Sequence, residues 1–124
     1  MTETRKRQDD VDFEMKFYEG IVAKKPDFIE ALIALGDLYT KKGFYKRGLD
    51  IDKQLAHLKP HDPYVLYNLA CSHSLLHEID KAWGAIKQAI DCGYDDWDYL
   101  EADQDLFSLR QAQQFQEFLA KVKK

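Results

Sequence analysis

Two cysteines, Cys71 and Cys92, are all that the sequence has. That is too few for a disulfide framework, so a reducing compartment, the cytoplasm, is expected. Basic residues do not dominate: 18 Lys and Arg stand against 22 Asp and Glu, for a net charge of −4. Such a balance lacks the basic footprint of a nucleic-acid binder, and none is expected as a partner. No apolar run reaches the length of a membrane helix, so no membrane association is expected either. The opening stretch, "MTETRKRQDD", has no apolar core behind it, and no secretory signal is expected. Glycine-rich phosphate loops and the strained elbow of a serine nucleophile are missing too. What remains is a chain with 45% apolar residues. That suffices for a core, excludes a disordered chain and fits one domain spanning 1–124.

The three prolines, Pro26, Pro60 and Pro63, sit between segments whose apolar residues recur at helical spacing. Ala31, Leu32, Leu35, Leu38 and Tyr39 form one stripe. Leu49, Leu55 and Leu58 form the next, and Gly43 lies between them where a helix ends in a left-handed residue. Tyr64, Val65, Leu66, Leu69 and Ala70 begin the cycle again, and Ile79, Ala82, Trp83, Ile86, Ala89 and Ile90 close it. "LIALGDLYTKKG" from Leu32 and "LYNLACSHSLLH" from Leu66 are 34 positions apart, as are Pro26 and Pro60. At that offset Leu32 aligns with Leu66, Leu35 with Leu69, Gly36 with Ala70, Tyr39 with His73, Gly48 with Ala82 and Leu49 with Trp83. Small residues in the paired columns let two antiparallel helices approach closely.

A 34-residue helix–turn–helix unit with these columns resembles the tetratricopeptide repeat. The resemblance covers two units, 29–62 and 63–96. Departures are Gly48 where Ala is preferred, Asp52 where a large ring is usual, Tyr94 in place of the closing Pro and His73 in place of Tyr. It implies an all-α, right-handed stack of antiparallel helix pairs. Val11, Met15, Tyr18, Ile21 and Val22 predict a leading helix over 10–25, with residues 1–9 too polar to add to it. The segment 97–124 resembles the closing segment of bacterial arrays of this kind. Helices are expected at about 96–102, 104–110 and 112–122, with Asp103 capping the middle one. Trp97, Leu100, Leu106, Phe107, Leu109, Phe115 and Phe118 are expected to cover the open face of the second unit.

Candidate chemistry is thin. Cys71, His73, His77 and Cys92 could be read as a metal set, since His73 and His77 are four apart on a helix. The repeat gives them duller places: His73 in a packed ring column, His77 in the turn column of Gly43, Cys71 on the exposed inner face. No metal, cofactor or catalytic residue is therefore expected, and a thiol- or metal-dependent enzyme is the remote alternative. The resemblance instead implies a binding groove lined by the first helix of each unit. Its columns are Glu30, Ile33, Ala34, Asp37 and Lys41, then Tyr64, Tyr67, Asn68, Cys71, Ser74 and Leu75, with Asp98 and Glu101 on the rim. Two tyrosines beside an asparagine suit a binding hot spot. Some family members clamp a partner's C-terminal carboxylate, but only Asn68 matches that pattern, and Asp37 would repel the anion. The expected function is a non-enzymatic protein-interaction scaffold that takes a neutral to basic peptide. The alternative is a homodimer through Phe13, Phe17, Tyr18 and Ile21 of the leading helix.

Overall fold

In the computed structural model, residues 2–123 are described, with side chains from residue 10 onward. They are helical, with no strand among them. The chain divides into two compact units, Met1–Leu58 and Lys59–Lys124. No helix among the described residues is long and apolar enough to cross a membrane.

The first unit holds α1 (Thr2–Lys24), α2 (Ile29–Lys41) and α3 (Tyr45–Leu58), with α2 packed against both neighbours. α1 starts well before the expected residue 10. Polarity does not oppose helix, and the Glu, Arg, Lys and Gln of that stretch are good helix formers. The α2 stripe is buried as read, with Leu32 wholly so. Gly36 and Gly48 mark the close approach of α2 and α3. A β-carbon at Gly36 would stand 3.2 Å from Ile51 Cγ2, and one at Gly48 would stand 3.1 Å from Thr40 Oγ1. Tyr39 donates its hydroxyl to Glu19 at 2.5 Å, and Lys42 pairs with Asp12 at 2.8 Å, so polar contacts fasten α1 to its partner. Met15 is buried on α1. Leu58, expected inside, is exposed at the end of α3, where the helix stops and the chain turns at Pro60.

The second unit holds α4 (Pro63–Leu75), α5 (Ile79–Asp91), α6 (Trp97–Ala102), a 3-10 turn (Gln104–Leu106), α7 (Phe107–Arg110) and α8 (Gln113–Val122). Asp62 starts α4, accepting from the amides of Tyr64 at 2.9 Å and Val65 at 3.2 Å, with Pro63 at the first helical position. α4 and α5 form the main pair, with Ala70, Ala82, Ala89 and Ile86 fully buried. The turn between them ends at His77, whose φ is +60°; Gly43, 34 residues earlier, has φ +80°. The aligned turn column therefore carries the same left-handed geometry in both copies, at a steric cost in the one without glycine.

The closing segment falls near its expected bounds, and Asp103 accepts from the Asp105 amide at 3.0 Å to start the 3-10 turn. Leu100, Leu106, Leu109 and Phe115 are fully buried. Trp97, Phe118, Trp83 and Phe115 form a chain of edge-on rings with centroids 5.8–5.9 Å apart. Phe107, expected in that cover, is 63% exposed instead.

Candidate functional site: an open tyrosine cleft

The stripe of α4 read as an open groove is covered by the chain's own closing segment. Tyr67 donates its hydroxyl to Asp103 Oδ2 at 2.5 Å, and Cys71 Sγ lies 3.8 Å from the same oxygen. Ser74 Oγ accepts from the Leu109 amide at 3.2 Å, and the His77 ring meets Ser108 Oγ at 2.9 Å. Positions 67, 71 and 74 lie along one face of α4 and His77 sits in the turn just beyond it, and each finds its partner between 103 and 109. Tyr67, Cys71 and Ser74 are buried as a result, which corrects the exposed placement expected for them. Leu75 is half-buried.

The N-terminal end of that face stays open. There Tyr64, Tyr67 and Asn68 of α4 meet Tyr94, Asp96 and Tyr99 around a cleft of about 290 Å³. Tyr67 and Tyr94 stack in parallel, with centroids 4.7 Å apart and planes 10° from parallel. Tyr64 stands edge-on to Tyr94 at 6.1 Å, and Tyr99 leans on Tyr67 at 5.9 Å. The stacked pair is buried, whereas Tyr64 and Tyr99 are 69% and 55% exposed. Asp96 caps α6, accepting from the Tyr99 amide at 3.2 Å, so one residue both starts that helix and lines the cleft. Tyr94, Asp96 and Tyr99 were missed by the sequence reading. Their signal was present in "GYDDWDYL", where rings alternate with acids, but which rings meet Tyr67 depends on how the segment folds back.

The remaining candidates lie elsewhere. Glu30, Ile33, Asp37 and Lys41 are exposed along α2 of the first unit. Asp98 and Glu101 both hold Lys123, at 2.7 and 2.8 Å, and the ammonium keeps the Asp98 carboxyl below its usual range. His73 is the packed, hydrogen-bonded ring expected, 3.0 Å from Glu78. Cys71, His73 and His77 thus face different neighbours. Among the described residues no group of three His, Cys, Asp or Glu could hold a metal ion.

Burial is the main influence on the buried phenols. It raises the Tyr67 phenol far above its ordinary value, with Cys71 and Asp103 adding to it, and it pushes Tyr94 up to about 12. The Asp103 charge, followed by burial, raises Tyr99. In the first unit, burial and then the bond to Glu19 push Tyr39 up to about 12. A phenol with a raised folded value is held in its neutral form. Its contribution to stability is complete below the unfolded value of about 10 and is lost as the pH rises through the folded one. Tyr39, Tyr67 and Tyr94 are therefore expected to stay protonated at about pH 11 in the folded chain. Tyrosinate absorbance from them should rise only with loss of helical circular dichroism. Full ionisation of all seven tyrosines with the helix content intact would refute this.

No family model matches the chain. It is similar to a chloroplastic protein of Arabidopsis thaliana, at 29% identity over 84 residues. The match takes in 65% of this chain and 25% of that protein, so the chain spans about a quarter of the length of this curated relative.

Proposed function

We propose that the chain is a non-enzymatic protein-interaction module of the tetratricopeptide kind, whose tyrosine cleft receives a segment of a partner protein. The cleft carries the reading. Two exposed rings and Asn68 sit on short, capped helices over a buried aromatic floor. They offer amphipathic contact area at small ordering cost, and the asparagine amide can both donate to and accept from a peptide backbone. The 34-residue repeat, with its close-packed small columns and shared left-handed turn, supports the family. A chain with only two cysteines suits a reducing compartment, the cytoplasm, and no cofactor is invoked.

The test is capture of partners from the native host with purified wild-type and variant chains. Tyr64→Ala with Asn68→Ala should reduce specific capture at least about tenfold, as hot-spot loss does. Lys53→Glu, on the exposed face of α3 in the other unit, should leave it unchanged. Equal loss from all the variants, or from Lys53→Glu alone, would sink the reading. Self-association is the second reading, favoured by Phe13 and Phe17, which lie one turn apart on α1 and are 73% and 55% exposed. Sedimentation would then show mass rising with concentration, and Phe17→Glu would abolish the rise. A monomer up to about 1 mM removes it.

A further inference from the structure

The cleft wall has a consistent chemistry. Four of its six lining residues are tyrosines, one is an acid and one an amide, with no Lys, Arg or His. Each phenol ring presents a negative face, and a cation within about 6 Å of a ring centroid is attracted to it. The Tyr67 hydroxyl is already committed to Asp103, so it cannot be turned toward an anion. An anionic ligand would meet Asp96 and find Asn68 as the only nitrogen donor on the lining side chains. An uncharged apolar ligand would take water from the Asp96 carboxylate and return nothing. The surroundings carry the same sign. Asp95, Asp98, Glu101, Asp103 and Asp105 lie within the same short stretch of sequence as Asp96. Lys123 is spent on Asp98 and Glu101, and Arg110 donates to the carbonyls of Leu100 and Asp103.

We propose that the cleft is a receptor for a guanidinium: a basic partner segment seats an arginine side chain against the tyrosine faces beside Asp96. The planar, weakly hydrated guanidinium stacks on rings where an ammonium does not. The open cleft of about 290 Å³ leaves room for the side chain to enter from solvent. The proposal rests on the cleft being the partner site, and it narrows the partner from neutral or basic to arginine-bearing.

The experiment is an NMR titration of the full chain with a blocked pentapeptide, Gly-Ser-Arg-Ser-Gly, against the same peptide with citrulline. Citrulline keeps the shape of arginine and loses the charge. The arginine peptide should shift the ring signals of Tyr64 and Tyr99 saturably, and the citrulline peptide should bind about tenfold more weakly or worse, the scale of a well-seated cation on aromatic faces. Tyr64→Leu and Tyr99→Leu should each weaken the arginine peptide about threefold or more by the same interaction. Both rings are largely exposed, so thermal melts should not move. Asp96→Asn keeps an N-capping side chain and should weaken binding while leaving helix content intact. Equal binding of the two peptides, indifference to the loss of both exposed tyrosines, or no saturable shift up to about 10 mM, a range of very weak binding, would each overturn the proposal. Equal peptide binding leaves the interaction-module reading standing. Failure to capture a partner in the variant-dependent assay removes that reading and leaves the peptide result intact.

Discussion

Tyr67→Ala is expected to lower the stability of the second unit by about 3–5 kcal/mol, the cost of removing a large buried ring. Tyr67 stacks on Tyr94, touches Tyr99 and bonds Asp103, so truncation removes the floor of the cleft and takes the hydroxyl donor from the Asp103 carboxylate. Tyr67→Phe separates the two effects. It keeps the ring and should cost about 1.5–3 kcal/mol, the range for a hydrogen bond to a charged group. Both tryptophans, Trp83 and Trp97, lie in the second unit, so urea unfolding followed by tryptophan fluorescence reads that unit directly. A loss below about 1 kcal/mol for Tyr67→Ala, well under the usual cost of a buried ring, would mean that the closing segment does not rest on it. This differs from the outcome expected of an exposed hot-spot ring, for which binding would fall and stability would hold.

The second large effect is expected at Phe115. It is completely buried on α8 and meets Trp83 edge-on at 5.9 Å. Phe115→Ala should cost about 3–5 kcal/mol and redden the Trp83 emission as water reaches the indole. Phe118 also meets Trp83 and Trp97 at 5.8 Å but is only half-buried, so Phe118→Ala should cost less. If the two substitutions cost the same, burial does not rank these positions and the account of the closing segment fails.

The helix pairs were legible because their signal is periodic. Leu32, Leu35, Leu49 and Leu55 repeat at helical spacing, and all four are buried. Gly43, read as a left-handed helix end, and His77, placed in its column one repeat later, share that turn geometry. Local chemistry was legible too: Asp103 caps where an Asp before a short helix should. What periodicity does not carry is which surface of a helix meets a segment far away in the chain. Tyr67, Cys71 and Ser74 lie on a face that a regular repeat would leave open, and the closing segment takes it. That choice depends on the path from Tyr94 to Leu109, set by caps, a 3-10 turn and one arginine bonding two carbonyls. Polar composition misled at the other end, where α1 runs on to Thr2, because helix propensity and burial are separate properties of a residue.

Asp103 has a consequence for how the second unit comes apart. One residue starts the 3-10 turn, receives the Tyr67 hydroxyl and lends its carbonyl to Arg110. The cleft wall and the C-terminal helices are therefore expected to open together rather than fray in sequence from the end. Native-state hydrogen exchange would register this as a common opening free energy for the amides of α4 and of the segment from α6 to α8. Trimming α8 would then loosen Tyr94 and Tyr99 although neither residue lies on it.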